Sequence, residues 1–339
     1  MRILIQRSIL FAISFLVSLS LFSCKEKEGR YFKQEGGIWG TLFHITYKSD
    51  SSRTTQITMA FDELNRSVNP FDSLSLISRI NRNESFETDS LFRICFSASQ
   101  RISMLSEGAF DPTCSPLFNA WGFGFKHREQ MTQAKVDSLL QIVGYEKMSL
   151  QGDRIVKADP RMSLDFASIA KGLGADHVAR RLVLSGVSDY LVEVGGEIAF
   201  SGLNPQGEPW RVGIDRPSDA NRNMSGDLQC ILRLPQKGGG LATSGNYRNY
   251  YEEGGKRYAH TIDPRTGYPV QTDVLSATVL AESSMIADAL ATLFMVVGSE
   301  KAKELAAKVA GVEFMLICAS DDGETSVSSS PGFDAMIVE

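Results

Sequence analysis

The chain has 339 residues, of which 43% are hydrophobic and 22% charged. That is ordinary globular composition, and it excludes a disordered chain and a collagen-like or coiled-coil fibre. Its formal charge is −5, with 40 acidic residues against 35 basic ones. Affinity for nucleic acid comes mainly from lysine and arginine on phosphates, so no nucleic acid is expected as a partner.

The first element in chain order is a leader. Arg2 and Arg7 precede an apolar run over residues 9–22, and Ser23-Cys24 and the charged run Lys25-Glu-Lys-Glu28 follow it. A basic start, an apolar middle and a small residue before a cut describe a secretory signal. The apolar run falls short of the ~20 residues a membrane span needs. Leu21-Phe22-Ser23-Cys24 resembles a bacterial lipoprotein cleavage box, in which Cys24 becomes the lipidated N-terminus. The resemblance implies a signal peptide over residues 1–23, a tether over 24–36 and export to the cell envelope. Two or more acyl chains on Cys24 would hold the protein on a membrane. Losing Arg2 and Arg7 with the leader takes the formal charge from −5 to −7.

The remaining cysteines, Cys95, Cys114, Cys230 and Cys318, show no CxxC or metal spacing and are read as buried thiols. Residues 39–47 are rich in β-branched and aromatic types and predict a strand. Apolar spacing predicts helices over 52–66 and 89–106, with turn chemistry at 68–73 between them. Residues 108–125 read as a loop punctuated by glycine and proline. A helix over 131–142 and a hairpin of 147–150 with 154–157 come next. A further helix runs from beyond Asp165 to about Ser185, and short strands fill 189–258. A strand at 275–281, helices at 283–297 and near 300–309, and two or three terminal strands complete the chain. Strands and helices mix without regular βαβ alternation, which favours an α+β fold in a single large domain over 37–339. The glycine-rich stretches Gly172-Leu-Gly174, Gly195-Gly196 and Gly238-Gly-Gly240 match neither a GxGxxG nor a Walker A pattern, and they read as turns or bulges.

Eight segments, in order, carry a resemblance. They are Gly40-Thr41; Gly108-Ala-Phe-Asp-Pro-Thr113 with Pro116-Leu117 and Trp121-Gly-Phe-Gly124; Asp165-Phe-Ala-Ser-Ile-Ala-Lys-Gly172; Val192-Glu-Val-Gly-Gly-Glu197; Trp210-Arg-Val-Gly-Ile214; Thr243-Ser-Gly-Asn-Tyr-Arg248; Tyr258-Ala-His-Thr-Ile-Asp-Pro-Arg-Thr-Gly267; and Ala287-Asp-Ala-Leu-Ala-Thr292. Behind a lipoprotein leader, the set resembles the FAD:protein FMN transferase (ApbE) family over about residues 37–310. The resemblance implies FAD as donor substrate, Mg2+ as cofactor and a protein threonine as acceptor. Expected acceptors are exported flavoprotein subunits of the sodium-pumping NADH:quinone reductase or a related electron-transport complex.

It also implies a site. Asp288, Thr292 and Ser168 match the metal ligands, and Ala291 stands where some members carry a further polar ligand. Asp288 and Thr292 are four apart on an expected helix and so face the same way. A carboxylate and a hydroxyl there suit a hard cation, while the plainer reading of Asp288 is a helix cap. Trp39, Phe71, the stretch Ala109-Phe110-Asp111, Asp165, Lys171 and Ile262 match FAD contacts, with Phe71 where a tyrosine is expected. Lys171, near a helix start, suits a phosphate. His260 is the general-base candidate, with Asp263 close enough to orient it; the plainer reading is a hydrogen-bonded histidine in a turn. Glu193, Glu197 and Arg248 read as structural or loop-shaping. Two other functions stay open: cleavage of FAD to FMN and AMP by water, and non-catalytic FAD binding.

Overall fold

Alternation along the strands sets up two cores on one sheet. In the strand Glu313–Ala319, Phe314, Leu316 and Cys318 face one core, and Met315 and Ile317 face the other. Val279 and Leu280, Ala242 and Leu241, and Ala199 and Ile198 divide in the same way. A period of two side chains per repeat requires this. The structure, a computed structural model, describes residues 29–124, 129–217, 227–245, 250–253, 256–259, 261–320 and 325–339. The leader with Cys24, Arg248 and His260 lie outside the described residues.

The sheet has eight antiparallel strands in the spatial order Arg30–Ile38, Thr41–Ser49, Tyr190–Val194, Glu197–Ser201, Gly239–Gly245, Val274–Ala281, Glu313–Ala319 and Thr325–Ser329. The larger core lies between this sheet and the helices Thr54–Val68, Ser90–Leu105, Ala170–Leu184 and Ser284–Val297. The smaller core is closed by the two-stranded sheet of Arg211–Asp215 and Leu228–Arg233, with Phe333 from the terminal turn. This is the α+β architecture expected from the irregular element order. Among the described residues no helix is long and apolar enough to cross a membrane.

Two expectations need correction, and one short helix stands where none was expected. The tether expected over 24–36 is strand from Arg30 onward, because Arg30–Ile38 pairs in register with Thr41–Ser49 from Arg30↔Ser49 to Ile38↔Thr41. Trp39 and Gly40, both at positive φ, make the two-residue turn between them, a geometry whose twist suits a hairpin. The turn expected over 68–73 follows Val68, and beyond it lies an unexpected six-residue helix, Leu76–Asn81, capped by Ser75, whose Oγ accepts from the Ser78 amide at 3.3 Å. The loop expected over 108–125 likewise contains the helix Ser115–Ala120, opened by Pro116. Both helices are too short for periodicity to register.

The helix Ser284–Val297 is buried on nearly every face, and two glycines let it sit so deep. A Cβ on Gly240 would lie 1.9 Å from the Ser284 nitrogen, and one on Gly172 would lie 2.3 Å from the Ser284 oxygen. Both obstacles are backbone, which cannot move aside as a side-chain tip can. Two of the glycine-rich stretches are therefore contact points for a helix. Gly240→Ala is expected to destabilise the fold by at least about 3 kcal/mol, the upper end for overpacked cores, as a fall in the urea midpoint.

Candidate active site

The floor of the site is assembled where three elements meet. The helix Ala170–Leu184 brings Lys171, the strand Glu197–Ser201 brings Glu197, and the helix Ser284–Val297 brings Asp288 and Thr292. Glu197 has the strand parity of Ala199, which faces the helical layer, so its carboxylate points the same way. Glu197 and Asp288 are each only 2% exposed. Glu197 Oε1 accepts from Lys171 Nζ, and Glu197 Oε2 is buried without a hydrogen-bond partner among the described residues. Asp288 Oδ2 accepts from the Gly172 amide at 3.0 Å. Thr292 Oγ1 lies 3.3 Å from Ser244 Oγ.

Burial pushes both carboxyls above the ordinary range. Lys171 pulls each of them down, and the charge of Asp288 pushes Glu197 further up. Two acids thus share one lysine at the floor of a cavity of about 580 Å³.

Ala109, Phe110, Asp111, Asp165, Ser168, Lys171, Ile262, Asp288 and Thr292 all line this cavity. Glu193, Glu197 and Ser244 join them there, so the two glutamates read from sequence as structural stand in the wall. The Asp165 carboxylate accepts from the Ala167 amide at 2.7 Å, and its own amide donates to the Pro112 carbonyl at 2.7 Å. This turn places Ser168 just before the helix Ala170–Leu184 and Lys171 in its first turn. Asp111 is spent on its own loop and on the turn at Tyr145: it accepts from the Thr113 amide at 2.7 Å, the Thr113 hydroxyl at 2.6 Å and the Tyr145 amide at 2.7 Å. Burial nevertheless raises its carboxyl above the usual range.

Trp39 and Phe71 are not among the lining residues. The Trp39 indole donates to Asn65 Oδ1 at 2.8 Å, and its ring lies against Gly174. Phe71 is 65% exposed, in a turn where its amide donates to Asn69 Oδ1 at 2.9 Å.

Sequence reasoning missed Asp176. Its two carboxylate oxygens accept from the Ser284 and Met285 amides at 2.9 and 2.8 Å, so the Lys171 helix caps the Asp288 helix. The only sequence signal was an acid five residues beyond Lys171. Asp176→Ala leaves two helix N-terminal amides unpaired and should cost about 1–3 kcal/mol. Burial pushes the Asp176 carboxyl up to about 7, against the pull of those amides. A raised carboxyl pKa means that the folded chain binds protons more tightly than the unfolded one, so this contribution is lost as pH rises through about 7. Asp176→Asn should flatten that part of the stability profile, as read from urea midpoints between pH 4 and 8.

Fold and site together define an α+β protein whose cavity gathers acids, hydroxyls and an ammonium group on its floor. The family model described as "ApbE family" matches residues 39–316. A Haemophilus influenzae protein named FAD:protein FMN transferase is 36% identical over 335 residues, covering 94% of this chain and 95% of the relative. One of the same name from Vibrio cholerae is 36% identical over 327 residues, covering 93% and 96%. The solved flavin transferase ApbE from Vibrio cholerae superposes with a TM-score of 0.81 at 34% identity, over 91% of this chain and 99% of that one. The apo form of the Pseudomonas stutzeri flavinyl transferase ApbE gives 0.80 at 31% identity, over 91% and 97%. The chain belongs to the ApbE family.

Proposed function

We propose that this protein is an FAD:protein FMN transferase that moves FMN from FAD to a threonine hydroxyl of an exported flavoprotein, with a divalent cation, and releases AMP. The observation that carries the reading is the cavity floor, where buried Asp288 and Glu197 face one lysine beside Ser168, Ser244 and Thr292. The donors are oxygens, and a cation there would offset the cost of ionising two carboxyls that burial raises. Such a set fits Mg2+, which prefers hard oxygens and keeps water or phosphate oxygens in its shell. Asp288, Thr292 and Ser168 would hold it. When bound, it would supply charge neutralisation on the pyrophosphate. Ala291, wholly buried beside Thr292, brings no ligand.

The chain's own residues do the rest. Ala109, Phe110 and Ile262 form apolar wall for the flavin end, and Asp165 lies in the same wall. Lys171 places a positive charge at the floor, where phosphate charge is best met. His260, next in sequence to the lining residues Thr261 and Ile262, takes the threonine proton as its oxygen attacks the FMN phosphorus. The bond from that phosphorus to the AMP oxygen breaks, and AMP leaves. Trp39 and Phe71 do not line the cavity, and a part for them in holding FAD rests on the resemblance alone. Acceptor subunits of a sodium-pumping NADH:quinone reductase or a related complex, and an anchor on Cys24, complete the proposal. A protein held on the membrane in this way would meet exported acceptors directly.

The test is incubation with FAD, Mg2+ and a candidate acceptor, followed by mass spectrometry of protein and nucleotides. An FMN adduct on a threonine with stoichiometric AMP supports the reading. FMN and AMP without an adduct would make water the acceptor, and unchanged FAD would leave a binding protein.

A further inference from the structure

Lys171 sits between two acids, yet its ammonium is bonded to Glu197. The neighbouring residue, Gly172, donates its amide to Asp288 at 3.0 Å, so the lysine springs from backbone already touching Asp288. A four-carbon stem with free rotation could turn its head to either carboxylate. Two features hold it at Glu197. The stem runs past Gly195, where a Cβ would lie 3.1 Å from Lys171 Cδ, and Gly195 itself holds φ +64. Glu197 Oε2 has no hydrogen-bond partner among the described residues, and Oε1 accepts from the lysine.

A buried carboxylate with one bare oxygen is costly to fold around. We propose that Glu197 is a positioning residue that holds the Lys171 ammonium to itself, so that Asp288 stays open to a divalent cation. This rests on the cation reading above. Without Glu197 the lysine would pair with Asp288 and compete for the same charge. Residues one shell behind metal ligands commonly change metal affinity by roughly 10–100-fold.

The test is Mn2+ binding to the purified full chain without FAD, read from the loss of the free-ion electron paramagnetic resonance signal. Glu197→Gln is expected to weaken binding about tenfold or more. Adding Lys171→Met to it should restore affinity to within about threefold of wild type, a recovery that a structural lesion would not show. Lys171→Met alone should bind as tightly as wild type or more tightly. Glu197→Asp keeps the charge but draws the carboxylate back by one methylene, and it should weaken binding as well.

Wild-type affinity in Glu197→Gln would overturn the proposal. So would failure of the double variant to recover, or wild-type affinity in Glu197→Asp, which would leave only the net charge. If Glu197→Gln does not fold, a loss of binding in Lys171→Met overturns the parking role by itself. Asp288→Asn is the separate control. If it binds Mn2+ like wild type, the cation reading fails along with the proposal; if it does not bind while the Glu197 variants behave like wild type, only the parking role fails.

Discussion

Asp288→Asn is expected to lower FMN transfer by roughly 10²–10³-fold, the share that a single well-placed charge contributes to a transition state. The metal-free variant should be as stable as wild type or more so. Asparagine matches the shape of aspartate and can still accept from the Gly172 amide. The wild-type carboxyl is 2% exposed and raised by burial, so its charged form is held at a cost. Removing that charge relieves the fold and disables the site. The two effects should therefore separate: a steep fall in single-turnover rate with saturating FAD, and an unchanged or higher urea midpoint in the presence of chelator. Excess chelator should also silence the wild type. Transfer at the wild-type rate in Asp288→Asn would remove Asp288 from the site.

His260→Asn is expected to lower transfer by roughly 10²–10⁴-fold, the usual range for general-base catalysis, with FAD affinity near wild type. Asparagine keeps a polar side chain of similar size but cannot carry the proton away. The wild-type rate should climb with pH as the imidazole gives up its proton. It should level off after that, because only neutral imidazole accepts a proton. In the variant that inflection should vanish. Weaker FAD binding with an unchanged saturated rate would make His260 a binding residue and pass the proton to another group.

Much of this protein was legible in one dimension. The long helices at Thr54–Val68, Ser90–Leu105, Ala170–Leu184 and Ser284–Val297 carry enough turns for their apolar spacing to show. Asp288 and Thr292 share a helix face by periodicity alone, and both line the cavity. The Ser75-capped helix Leu76–Asn81 and the strand from Arg30 were not legible. One is shorter than two turns, and the other exists because Thr41–Ser49 folds back on it.

The sequence by itself determined the α+β class, the family, and residues that line the cavity from Ala109 to Thr292, since each rests on local pattern or on a motif in order. Only the tertiary structure decided what the acids do. Glu197 looked like a loop residue until strand pairing turned it toward the helical layer, 26 positions from the lysine it meets. Asp176 is 108 residues from the amide of Ser284 that it caps. The glycines at 172 and 240 gained their meaning from a helix pressed against both. Charge pairing and close approach depend on distance in space, and chain spacing does not encode that distance until the sheet closes.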